Sequence, residues 1–133
     1  TYEVGMAEVS IREEAGLLAY SPLAFGLLSG KYHRKEDNEN HRLNKYKQMS
    51  RYNSQLCYDA TAKYLEIADK HGLSLTTLAL AFINDRPFLT SNIIGATTMA
   101  QLKENIDSAE VTLSKEILKE IDEVHKAISN PAP

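Results

Sequence analysis

Two short apolar runs set the limits on what this chain can fold into: Leu17-Leu18-Ala19-Tyr20 and Ile93-Ile94-Gly95. Neither alternates polar with apolar residues, so neither has the water-facing side that a two-stranded ribbon would show. Such runs suit strands buried on both faces, as in a parallel sheet. Ser21-Pro22 ends the first run, because the residue before a proline is held extended and proline cannot donate to a ladder. Helical patterns fill the distance between the runs. Two strands so separated cannot close a sheet by themselves. Either further chain completes a sheet, or this is a helical domain with two extended linkers. The missing polar faces favour the first, an α/β fold.

The second run ends at Gly95 and passes through Thr97 and Thr98 into a helical pattern. A strand that delivers backbone into a helix N-terminus is a ready phosphate site. Gln101, Glu104 and Asn105 share one face of the first helical turns. Leu102, Ile106 and Ala109 take another face, which can be buried. A strand, a turn and a solvated helix would give the same pattern.

The remaining segments are mostly helical. A short helix is expected over residues 4–15, with Met6 and Val9 as a weak apolar stripe. Residues 57–71 form a second, with Tyr64, Ile67, Ala68 and His71 along its inward side, and Gly72 stops it. Ser74 caps a helix over 75–85, and Leu75, Leu78, Ala79 and Phe82 supply its stripe. Ser114 caps the last, whose face is Ile117, Leu118, Ile121, Val124 and Ile128. Between Tyr32 and these helices, residues 33–54 read as a polar loop or lid broken only by Leu43, Tyr46 and Met49.

The 133 residues suffice for one domain. A net charge of -3 argues against general binding to nucleic acid or anionic membranes. Residues 31–51 carry seven Lys or Arg against three acids, a local +4. That basic segment on an acidic body fits one local anion. Cys57 is the sole cysteine, with no metal-ligand spacing around it; it reads as a packed apolar residue in a reducing compartment, and a cytoplasmic location is expected. No signal peptide and no apolar run of bilayer length is visible. Thr1 followed at once by a helical pattern suggests a chain that is processed, cut or seen in part.

The segment from Tyr20 to Tyr32, Tyr-Ser-Pro-Leu-Ala-Phe-Gly-Leu-Leu-Ser-Gly-Lys-Tyr, resembles the seventh-strand segment of aldo-keto reductases. Gly95-Ala96-Thr97-Thr98 through Gln101, Glu104 and Asn105 resembles their eighth-strand phosphate and adenosine site. The likeness runs from about Val4 to the Pro-Ala-Pro ending. Within the family it is similar to the bacterial Tas-type reductases, related to potassium-channel beta subunits. It implies a (β/α)8 barrel of which this chain is an incomplete C-terminal arc. It also implies NADPH or NADP+ as cofactor, with NADH possible, and a small aldehyde or ketone as substrate. The remaining barrel half, covalent or on another chain, is an expected partner.

The resemblance also implies roles for twelve residues. Tyr20 stacks on the nicotinamide. Ser21 donates to the pyrophosphate, Leu23 offers an amide and apolar contact, and Gly26 permits close backbone approach, with Ser29 in the same segment. Lys31 lies beside the phosphates. Arg42 closes over the cofactor from the polar loop, with Arg51 as its rival. Gly95 approaches the cofactor closely, and Thr97 lies near the 2′-phosphate. Gln101 occupies a position often basic in the family, which weakens any strong preference for the phosphorylated cofactor. Glu104 and Asn105 meet adenine and ribose. The family's catalytic Asp, Tyr, Lys and His have no matching positions here. His33, His41, His71 and His125 are expected to be solvated or packed, and no metal site is expected. Two further readings are a nonenzymatic redox-sensing or regulatory NADP-binding protein and an inactive structural fragment.

Overall fold

The computed structural model describes residues 2–34, 39–46 and 50–132. Met49, Thr1 and Pro133 lie outside them. A 3-10 turn at Tyr2–Val4 precedes helix α1 (Met6–Arg12) and strand β1 (Leu17–Tyr20), and a 3-10 segment over Ala24–Ser29 follows the strand. Helix α2 (Arg42–Lys45), a 3-10 turn at Ser50–Tyr52, α3 (Gln55–Lys70) and α4 (Leu75–Asn84) lead to β2 (Leu89–Ile93). Helices α5 (Met99–Asp107) and α6 (Lys115–Ala127) complete the described chain.

Strands β1 and β2 run parallel and form an open two-stranded sheet. Parallel strands need a long crossover, and α2, α3 and α4 supply it. Leu17 faces Leu89, Leu18 faces Ser91, Ala19 faces Asn92 and Tyr20 faces Ile93. The register slips between Leu17 and Leu18, so Thr90 has no opposite number. Gly16 sits against that bulge: a Cβ there would lie 1.7 Å from Thr90 Oγ1. Any side chain at position 16 would have to displace the Thr90 side chain.

The second strand occupies Leu89–Ile93, not residues 93–95 as the apolar run implied. Pairing starts where the turn after α4 releases the chain, with Leu17 N donating to Phe88 O at 2.8 Å. The ladder is made by backbone, so Thr90, Ser91 and Asn92 extend it despite their polar side chains, while Ile94 and Gly95 have left it.

Burial on both faces is also corrected. Leu18, Tyr20 and Ile93 are 59%, 74% and 53% exposed, all on one face of the sheet. Leu17, Ala19, Leu89 and Asn92 are half-buried on the opposite face, and α4 packs on β2.

The main core lies among α3, α4 and α6, where Ile67, Ala68, Leu75, Leu78, Ala81, Ile117 and Ile121 pack with Leu113. Truncating one of its large side chains to alanine costs about 2–5 kcal/mol. Ser74 and Ser114 cap as their positions imply, accepting from Thr77 N and Ile117 N. Ser54 and Thr98 do the same for α3 and α5. A smaller core gathers Leu27, Leu43 and Cys57, so the polar loop carries a buried anchor and Cys57 is packed.

Helix α5 is turned differently from its apolar pattern. Ile106 is 58% exposed and Ala109 is exposed, whereas Asn105 is 5% exposed. Asn105 Nδ2 donates to Gly95 O at 3.2 Å, which draws that side chain under the loop. Met6 and Val9 of α1 also face solvent.

Candidate functional site

Because Tyr20 pairs with Ile93, both strands end at one edge of the sheet. The segments leaving them, 21–31 and 94–98, start side by side. The two sequence motifs, about seventy residues apart in the chain, therefore meet through a single parallel pairing.

The first segment has an unusual backbone. Ser21, Ala24, Phe25 and Gly26 have φ values of 57°, 47°, 62° and 93°. Left-handed conformations are uncommon outside glycine. At each of the three non-glycine positions this costs about 1–3 kcal/mol and persists only where surrounding structure holds it, most often at ligand sites. Here the holding bonds are local. Ala24 N donates to Ser21 O at 3.0 Å, Gly26 N to Leu23 O at 2.8 Å, and Ser29 Oγ to Gly26 O at 2.8 Å. Ser29 thus fixes the loop from inside. Leu23 is half-buried, and Tyr20 and Ser21 are exposed.

Two cations border the loop. A Cβ on Gly26 would meet Lys31 Nζ at 3.3 Å, so the ammonium lies over the glycine. The same Nζ is 5.3 Å from the Tyr32 ring centre. The Arg42 guanidinium lies 5.1 Å from the Phe25 ring centre, a cation–π contact that aims α2 at the strained turn. Arg51 is engaged elsewhere: it stacks on Tyr52 and donates from Nε to Ala132 O at 3.3 Å. Of the two arginines, Arg42 is the one beside the loop.

The second segment is organised by side chains. Gln101 Oε1 accepts from both Thr97 N and Thr97 Oγ1 at 2.9 Å. Glu104 Oε1 accepts from Ser74 Oγ at 2.5 Å, tying α5 to the N-terminus of α4. Gly95 is positioned by Asn105, as described above. Gln101, Glu104 and Asn105 each hold protein groups in this structure.

Residues 3–126 match the aldo/keto reductase family. The chain belongs to that family. It is 44% identical over 133 residues to the protein Tas of Escherichia coli K12, covering 100% of this chain and 38% of that relative. It is 37% identical over 130 residues to an aldo-keto reductase of Babesia bovis, covering 92% of this chain and 46% of that one. It is 35% identical over 116 residues to a probable voltage-gated potassium channel subunit beta of Arabidopsis thaliana, covering 82% of this chain and 35% of that one. The chain thus spans less than half the length of each of these relatives. The family fold is a (β/α)8 barrel, and the α/β arrangement with an open parallel pair accords with it.

Within this family frame, the candidates do not share one closed cavity. A groove of about 580 Å³ runs between α4 and α6, lined by Leu75, Leu78, Phe82, Leu118 and Ile121, and none of the twelve residues lines it. A second of about 420 Å³ beside β2 and α5 includes Asn105. The site is an open surface at the sheet edge. The sequence marked Gly26 for close backbone approach, but nothing in it marked Ala24 and Phe25 as left-handed, or Phe25 as the partner of Arg42.

His33, His41 and His71 are half-buried, and His125 is exposed. His33 and His41 lie edge-on to Tyr58 and Tyr32, and His125 lines the larger groove. His71 Nε2 lies 3.1 Å from Glu120 Oε2. His71, Glu116 and Glu120 bring their ligand atoms within 4.8 Å of one another. Lys70 Nζ already bridges both carboxylates, at 3.5 Å and 2.5 Å, and acts as their cation. The Lys70 bond, followed by that of His71, holds the Glu120 carboxyl below its usual range. Among the described residues no helix is long and apolar enough to cross a membrane.

Proposed function

We propose that residues 1–133 form the dinucleotide-binding C-terminal arc of an aldo/keto reductase barrel. The complete protein transfers hydride from NADPH to an aldehyde or ketone carbonyl in the cytoplasm. The remaining strands, on the same chain or another, carry the catalytic groups. The observation that supports this reading most is the turn at residues 21–26 with its four left-handed positions, bordered by Lys31 and Arg42 at the sheet edge from which Gly95 also departs.

That surface suits an anionic dinucleotide. Gly26 leaves room for the Lys31 ammonium over the backbone, and Lys31 and Arg42 offer a point charge and a planar donor fork. Tyr20 presents an exposed ring for stacking on the nicotinamide. Ser21 and Leu23 would meet the pyrophosphate. Thr97 and Gln101 would meet the adenosine ribose or its 2′-phosphate, and Glu104 and Asn105 the adenine side. Glutamine at position 101 carries no charge, so NADH is an allowed second cofactor. When bound, the nicotinamide supplies the hydride; the residues of this chain bind and orient it.

Titration of the complete protein with NADPH, followed by carbonyl-dependent consumption of NADPH, tests the reading. Binding and turnover are expected from the complete protein, and no turnover from residues 1–133 alone. A complete protein that does not bind NADPH would overturn it. The similarity to a channel beta subunit favours a second reading, a regulatory NADP-binding protein. That reading is selected if NADPH binds but no carbonyl compound is reduced.

A further inference from the structure

The chain after α6 folds back on the Arg42 region. Asn130 has φ 51°, a left-handed turn that asparagine tolerates well. The turn directs Pro131 and Ala132 across the start of α3. Pro131 O receives Ser54 Oγ at 3.3 Å and Cys57 Sγ at 3.0 Å, and Ala132 O receives Arg51 Nε at 3.3 Å. The Ala132 side chain packs on the small core of Leu27, Leu43 and Cys57.

That core joins three parts of the chain. Leu27 lies in the 3-10 segment that contains the strained residues. Leu43 is the residue after Arg42, is 1% exposed, and donates from its amide to Tyr32 Oη at 3.0 Å. Cys57 lies in the first turn of α3. The tail closes over the place where they meet. Helix α2 has only four residues, too few to be stable alone, so its position depends on such anchors.

We propose that Pro131-Ala132 is a strap that positions Arg42 beside the 21–26 turn. The strap acts through Leu43 and the small core and touches no ligand itself. Its effect on nucleotide binding rests on the dinucleotide reading above. Its effect on α2 does not.

The experiment uses the complete protein with Ala132→Asp, which places a charge against the small core. Asn130→Val, which opposes the left-handed turn, is the second variant, and Asn130→Gly, which permits it, is the control. Amide hydrogen exchange is measured first without nucleotide. Exchange across Arg42–Lys45 is expected to quicken about tenfold in Ala132→Asp and Asn130→Val, and to stay unchanged in Asn130→Gly and in α4 of every variant. NADPH dissociation is then expected to quicken severalfold in the same two variants, at unchanged hydride-transfer rate. Unaltered exchange at Arg42–Lys45 in both would overturn the strap. Faster exchange with unaltered NADPH dissociation would overturn its positioning role. A parent protein that does not bind NADPH defeats the dinucleotide reading instead, and the exchange result still decides whether the strap holds α2.

Discussion

Ser74 Oγ and Glu104 Oε1 are 2.5 Å apart, so the residue that caps α4 also holds α5. Glu104, proposed above for the adenine side, here links two helices through a residue thirty positions earlier in sequence. A carboxylate has lone pairs for both tasks.

The link gives a stability prediction. Ser74→Ala removes the cap and the Glu104 donor together and is expected to cost about 1–2 kcal/mol. Glu104→Ala is expected to cost about 1 kcal/mol, because it removes one charge-assisted bond on a half-buried surface. The double variant should be less destabilised than the sum, with a coupling of about 0.5 kcal/mol or more. Urea unfolding of the four proteins measures it; strict additivity would mean that the contact contributes nothing.

The uncovered sheet face gives a second prediction. Leu18 is exposed on residues 1–133 but would face the interior of a completed barrel. Leu18→Asp is therefore expected to shift the stability of residues 1–133 by less than about 0.5 kcal/mol, as at an ordinary surface position. In the complete protein it should cost about 2–5 kcal/mol, from a lost apolar contact and an unpaired buried charge. Equal effects in the two proteins would exclude burial of this face.

Much of this architecture was legible because local chemistry determines it. Ser74 and Ser114 cap their helices by satisfying amides of the first turn, an interaction three residues long. Ile117 and Ile121 lie in the core because a strong apolar stripe has one place to go. The β2 boundary was less legible, since Thr90-Ser91-Asn92 joins the ladder through backbone and leaves no mark in side-chain pattern. The burial of Asn105 was not legible for a different reason: it depends on a carbonyl at Gly95, ten residues earlier. Left-handed Ala24 and Phe25 were invisible because their conformation is imposed by the bonds of neighbours such as Ser29, not by their own preference.

Acid sensitivity follows from the Lys70–Glu120 pair. The bond from Lys70, then that from His71, lowers the Glu120 pKa from the ordinary 4.5. A depressed carboxylate stabilises the fold above its unfolded-state value, and that contribution is lost as pH falls through the folded-state value. Lys70 is raised above the ordinary 10.5, chiefly by the Glu120 bond, so its contribution is present below that value and is lost as pH rises through the raised one. Glu120→Gln is expected to flatten the dependence of Tm on pH between about pH 5 and about pH 3. Thermal melts across that range measure this; parallel curves for parent and variant would show that Glu120 does not couple protonation to folding.

The last prediction separates residues that hold the dinucleotide from the one that aims it. Lys31 lies over Gly26 and Gln101 gathers Thr97, whereas the Tyr20 ring is exposed at the end of β1. In the complete protein, Lys31→Ala and Gln101→Ala are expected to weaken NADPH binding while leaving the saturated hydride-transfer rate near that of the parent. They remove contacts made equally in ground and transition states. For Lys31, a charged contact of about 1.5–3 kcal/mol corresponds to roughly tenfold to a hundredfold in Kd. Gln101→Ala is expected to have the smaller effect, since glutamine is neutral and its loss first frees Thr97. Tyr20→Ala is expected to show the opposite balance, with a modest change in Kd and a larger fall in the saturated rate, because stacking orients the reacting ring. Fluorescence titration gives the Kd values and single-turnover kinetics at saturating NADPH gives the rates. Unchanged Kd values in both Lys31→Ala and Gln101→Ala would reject the phosphate-side assignment, and normal hydride transfer in Tyr20→Ala would reject the stacking role.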